Sequence, residues 1–177
     1  MKKGQIWIET VVYTLIGLAL IGVVLSLVTP KINQSKDKAI IEQSINSLNY
    51  LDAKINEVLE KGQGNVRKID SFTMKKGELF IDSSNDSIYL ILDDLTKPYS
   101  EPGIEIEFGK IKIVSEQKQK KSSVKLKLNY NGIMNITYDN AEGMKKFSAG
   151  SVPYSFIFEN KGNVNGTIVV NVREVSR

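Results

Sequence analysis

From Val11 to Val28 the chain carries no charge: VVYTLIGLALIGVVLSLV. As a helix this run is about 27 Å long, against a bilayer core of ~30 Å. Adding Gln5 to Thr10 makes it long enough to cross. A segment of this kind needs lipid or protein around it, and that requirement constrains everything that follows. Lys2 and Lys3 precede it. By the rule that basic flanks stay on the cytoplasmic side, the rest of the chain is expected outside the cell.

One residue does not suit a plain anchor. Glu9 sits one turn inside the apolar helix. A carboxylate within a membrane helix costs roughly 2.5–3.5 kcal/mol on insertion scales, so such a group usually has a partner or a function. The alternative places Glu9 shallow, at headgroup level, where the cost is small.

Lys3-Gly4-Gln5, Glu9 at the fifth position counted from Gln5, and an unbroken apolar helix together resemble a type IV pilin precursor. The closer likeness is to the archaeal pilin and archaellin branch, with its class III signal peptide. It covers only about the first thirty residues. Gln5 departs from the bacterial preference for Phe at that position and agrees with the archaeal pattern. The resemblance implies cleavage by a prepilin peptidase between Gly4 and Gln5, with Lys2 and Lys3 as the basic residues of the leader. It implies that the apolar helix stays on the mature protein and that Glu9 guides subunit assembly. The implied partners are the peptidase, membrane lipid before assembly, other pilin subunits, and a pilus assembly platform with its ATPase. An ordinary secretory signal fits less well. The apolar run exceeds the usual 7–15 residues, and its one small-residue match, Val24-Leu25-Ser26, lies inside it.

Composition narrows the functional classes. The chain of 177 residues leaves roughly 145 beyond the membrane helix, enough for one domain and a helical spacer. It contains neither Cys nor His. Disulfide staples, imidazole metal sites and His-dependent nucleophile machinery are therefore excluded. The net charge of +4 is interspersed with acidic residues and reads as solubility, with no nucleic-acid footprint. No cofactor is called for.

Thr29-Pro30 is expected to kink the helix, or to end it and start another with Thr29 as cap. Beyond it Ile32, Ile41, Ile45, Leu48, Leu51, Ile55, Val58 and Leu59 recur mainly at spacings of three and four. That pattern is an amphipathic helix, closed at Lys61-Gly62-Gln63-Gly64 by a glycine cap. Its stripe is expected to pack mostly on the protein's own head, with edges left for neighbouring subunits.

From Val66 the period changes to two. Strands are expected at 77–81, 87–92, 104–108, 110–114, 124–130, 133–138, 154–158 and 167–175. Asn131-Gly132 reads as a type I′ hairpin turn, Gly109 as a bulge or tight turn, and Asn160 to Asn163 as the last hairpin turn. The expected fold class is α+β: a long N-terminal helix bent near Pro30, then an all-β, sandwich-like head. The divisions are 1–4 leader, 5–29 apolar helix, 30–62 amphipathic helix and 65–177 antiparallel head. The head should fold without the anchor when the chain starts near Asn33.

Few residues suggest other chemistry. Asp82 to Asp86 looks like a turn rather than a calcium loop, lacking the glycine and distal Glu of an EF-hand. Asp93-Asp94 point in different directions. Glu105 and Glu107 share a solvated strand face opposite Ile104, Ile106 and Phe108. Lys118 to Ser123 reads as a solvated basic connection. No catalytic or metal-binding set emerges. Asn33, Asn85, Asn135 and Asn165 each open an N-glycosylation sequon, with Asn85 and Asn165 the better placed near turns.

The sequence thus points to a filament subunit that moves from the membrane to a surface filament. The alternative is a monomeric, single-span surface or adhesion domain. Sequence alone does not separate a major pilin from a minor pilin or an archaellin.

Overall fold

The computed structural model describes residues 7–175, with the first helix assigned back to Lys2. The chain is one long helix, α1 (Lys2–Glu60), followed by ten strands. These are β1 (Val66–Phe72), β2 (Glu78–Asp82), β3 (Ser87–Leu95), β4 (Glu105–Phe108), β5 (Ile111–Lys118), β6 (Lys121–Asn129), β7 (Asn135–Tyr138), β8 (Met144–Ser148), β9 (Tyr154–Val164) and β10 (Thr167–Glu174). They form a four-stranded sheet, β1-β9-β10-β7, and a six-stranded sheet, β4-β5-β6-β3-β2-β8. The fold is α+β, with a sandwich-like head.

Helix α1 runs through Pro30 as a single element. Of the two alternatives at Thr29-Pro30, the structure follows the continuing helix and not a second one. Proline has no N–H to offer Ser26, so the ladder loses one bond there. Neighbouring hydroxyls bond to the local backbone. Ser26 Oγ donates to the Val23 carbonyl at 2.7 Å, and Thr29 Oγ1 donates to Leu25 O at 2.7 Å. Thr29 therefore bonds backward within the helix and does not cap a new one.

The apolar stripe divides at about the level of Asp37. Below it, Ile32 is exposed. Above it, Ile41, Ile45, Leu48, Leu51, Ile55 and Val58 are buried in the same core as both sheets. The helix touches β1, β9 and β10 of one sheet and β3, β5 and β6 of the other. The sandwich is thus completed by the helix, as the expected self-packing of the stripe requires. Its end is closed by an aromatic group, with Phe147 of β8 5.1 Å edge-on to Phe156 of β9 and Phe72 of β1 5.6 Å from Phe156.

Polar links fix the helix axially. The Asp37 carboxylate accepts from the Thr96 N–H at 2.7 Å, and Tyr130 Oη donates to Asp52 Oδ1 at 3.0 Å. Buried Asn160 donates to the Val58 carbonyl at 3.2 Å, satisfying a group that the helix end would otherwise strand. Gly62, at φ 82, terminates the helix in the left-handed region, as the glycine cap requires. Burial, and then the adjacent Asp52 carboxylate, push the Tyr130 phenol above its ordinary value near 10. A raised folded-state pKa means stability that is present below pH 10 and lost as pH rises above it, at about 1.4 kcal/mol per pH unit. Urea titrations from pH 8 to 11 should show a shallower alkaline loss for Tyr130→Phe, by about that slope. At pH 7 this variant should be destabilised by only ~1 kcal/mol, since one net hydrogen bond is lost.

Two expectations about turns are corrected. β6 and β7 belong to different sheets, so Asn131-Gly132 carries a crossover and not a hairpin. Only Gly132 of that pair has positive φ, and Ile133 N–H donates to Tyr130 O at 2.9 Å. A type I′ turn needs positive φ at both central residues. Asp139-Asn140 and Asn165-Gly166 supply that geometry instead. Asn160 to Asn163 is part of β9, with a bulge where Gly162 faces Val169 and Asn160 faces Val170. The head is also not wholly antiparallel, because β7 pairs with β10 in parallel. Strands β1 and β8 were not among those expected. Gly109 does lie in a tight turn, since Phe108 pairs with Ile111 across it.

Candidate functional site

The side of α1 that the head leaves free is the candidate site. From Trp7 to Asn33 every residue is exposed except Gly17, which is half-buried. None of the apolar window that could cross a membrane is buried within the chain. The described helix, Trp7–Glu60, is 54 residues long, or about 81 Å at 1.5 Å per residue. Its lower half projects from the head as an uncovered apolar rod. Hydroxyls on the rod bond to its own backbone, as in Thr14 Oγ1 to Thr10 O at 2.8 Å. In a setting without water this keeps polar groups satisfied.

Glu9 is exposed on this rod, and among the described residues no ion pair or hydrogen bond engages its carboxylate. Lys2, Lys3, Gly4 and Gln5, the residues of the expected processing site, lie outside the described residues.

The four sequons occupy different environments. Asn33 is exposed on α1, with Ser35 exposed beside it. Asn85 ends a short turn of 3-10 helix (Ser83–Asn85), and its Nδ2 donates to Asp82 Oδ2 at 2.9 Å, while Ser87 is fully buried. Asn135 begins β7 half-buried, and the Thr137 hydroxyl is engaged with Asn171 Oδ1 at 3.1 Å. Asn165 sits at the tip of the β9–β10 hairpin, exposed together with Thr167. A folded-state acceptor must present both the amide and the hydroxyl two residues on, and Asn33 and Asn165 do so. The burial of Ser87 could not be read from the Asn85 sequon, because β3 is buried on nearly both faces.

The other clusters have local roles. Asp82 caps the short helical turn through its contacts to Asn85, and Asp86 Oδ1 accepts from Ile136 N–H at 2.8 Å. Asp93 and Asp94 fall at an irregularity in β3, and Asp94 O accepts from Lys76. Glu105 and Glu107 lie 2.6 and 3.8 Å from Lys112, a solvated charged face as expected. Among the described residues no group of three or more acidic side chains is placed to hold a metal. In the basic segment, Ser122 and Ser123 are buried in β6, so only its first half is a solvated turn.

Comparison of the chain with protein-family models, with curated proteins and with solved structures finds no match.

Proposed function

We propose that this chain is a pilin-like structural subunit of an archaeal type IV pilus-like surface filament. The observation that carries the reading is the division of α1. Its upper half is committed to the head core, and its lower half is an apolar rod that the chain leaves uncovered. In water such a surface is unstable. Lipid covers it before assembly, and the rods of other copies cover it afterwards. The resemblance of Lys3-Gly4-Gln5 and Glu9 to the pilin leader supports this reading over a permanent anchor. On this account a prepilin peptidase cuts between Gly4 and Gln5, an assembly platform and ATPase extract the rod, and the head lies outside the cell. Asn33 and Asn165 are the sequons most accessible to glycosylation.

Processing is testable by substitution. Gly4→Val should block cleavage and leave precursor in the membrane fraction, with the head folded and outside. Normal maturation and export of the Gly4→Val protein would contradict the proposal.

A further inference from the structure

The six-stranded sheet ends in β4, all four of whose residues are exposed. Exposure thus extends to Ile104, Ile106 and Phe108, on the face opposite Glu105 and Glu107. In the antiparallel ladder Ile106 lies opposite Ile113, and Phe108 opposite Ile111. Directly paired residues share a face. Ile111 and Ile113 are buried in the core, so Ile106 and Phe108 continue the inner, helix-facing side of the sheet one strand beyond that core. Ile104, Ile106 and Phe108 remain 48%, 38% and 56% exposed, three successive same-face positions forming an apolar lip.

The lip is held beside α1 rather than hanging free. At the β4–β5 turn Lys110 Nζ is 3.5 Å from Asp52 Oδ2 and 3.4 Å from Asn56 Oδ1. Ahead of the strand, Gly103 N–H donates to Ser115 O at 2.8 Å, and Ser100 bonds to the Ser115 hydroxyl. β4 therefore runs alongside the helix, from about the level of Asp52 back towards the level of Asp37, where Thr96 is bound.

We infer that the lip receives the apolar rod, Trp7–Val28, of a second copy of this chain. This rests on the filament reading above. The occupant follows from three facts. The chain's own rod cannot reach the lip, because α1 is continuous and the rod's centre lies about 40 Å down the axis from Ile45. A copy displaced by about that distance brings the same segment level with the lip. Strand pairing to another head is disfavoured, since β4 has four residues and presents Glu105 and Glu107. The rod is moreover the largest uncovered apolar surface among the described residues, and the lip spans about 13 Å, more than two helical turns. Two surfaces that are each unfavourable in water are thus covered by one contact.

The native chain has no Cys, so crosslinks can be placed without background. Ile106→Cys is combined in the full chain with Leu15→Cys, Leu18→Cys or Ile21→Cys, and filaments sheared from cells are treated with a short bis-maleimide. At least one pair should give species of two or more chains. Phe108→Lys, at an exposed position, should leave thermal unfolding of the head unchanged and lower filament yield at least about tenfold. Leu18→Cys alone reports rod-to-rod contact, and Ile106→Cys alone reports lip-to-lip contact. Rod-to-rod crosslinks without any lip-to-rod crosslink would overturn the lip contact and leave the filament reading standing. Lip-to-lip crosslinks in their place, or normal filament yield from Phe108→Lys, would overturn it equally. Absence of any filament built from the wild-type chain would remove the filament reading and the lip contact together.

Discussion

A chain that begins at Asn33 will fold into a soluble head, and a chain that begins at Asn65 will not fold. Both contain every strand of the two sheets. They differ by the upper half of α1, which contributes Ile41, Ile45, Leu48, Leu51, Ile55 and Val58 to the shared core. Burying side chains of this size contributes about 1.5–3 kcal/mol each, so the six together account for roughly 9–18 kcal/mol. A whole domain is stable by only ~5–15 kcal/mol. Truncation also removes Asp52, the partner of buried Tyr130, and the Val58 carbonyl, the partner of buried Asn160. Leaving such groups unpaired costs a further ~1–3 kcal/mol each. Circular dichroism should show β structure, one helix and a cooperative thermal transition for the longer chain. The shorter chain should show no cooperative transition. Cooperative unfolding of the shorter chain would mean that the sheets close on each other and the helix merely rests on them.

The second large effect concerns Glu9. On the filament reading, cleavage gives Gln5 a free α-amine with an ordinary pKa near 7.7–8.0. In the same subunit it lies about one turn below Glu9. A subunit added later is displaced along the axis, so its amine can meet the Glu9 carboxylate of an earlier neighbour. Pairing offsets the desolvation of both groups, and breaking a buried pair from one side costs about 3–5 kcal/mol. Glu9→Gln should therefore leave export and cleavage intact and reduce filament yield by roughly two to three and a half orders of magnitude, at ~1.4 kcal/mol per tenfold. Mixed with wild-type subunits, the variant should enter filaments poorly. Normal filaments from Glu9→Gln alone would place Glu9 in a shallow, solvated position.

The features that repeat along the chain were legible in the sequence. The apolar run of α1, its stripe from Ile41 to Val58 and the alternation in β5 and β6 each repeat a signal several times, and the structure follows all three. Single-residue signals were less reliable. Pro30 left two outcomes open, a continuing helix and a new one, and the structure takes the first. Asn131-Gly132 is a good hairpin dipeptide, but strand pairing is decided by which partner completes each sheet, and β6 pairs with β3 and β5. The true type I′ turns rest on Asp139-Asn140 and Asn165-Gly166. The second of these was close at hand, since Asn165-Gly166 separates two runs that pair across it from Val164 opposite Thr167.

Alternation was also incomplete as a guide at β4. A strict apolar–polar pattern tells which residues share a face and says nothing about whether that face is covered. Cover depends on where the sheet ends relative to the helix, which is a long-range property. The polar links of α1 escaped notice for the same reason. Asp37, Asp52 and Asn160 are separated from their partners by 59, 78 and 102 positions, and no local spacing announces them.

The most direct test of the central claim is the mass of the chain recovered from sheared, lipid-free surface material. The account predicts filaments in which the chain starts at Gln5 and retains the whole apolar rod. A chain that still starts at Met1, stays with the membrane and is released by detergent as a monomer would contradict it.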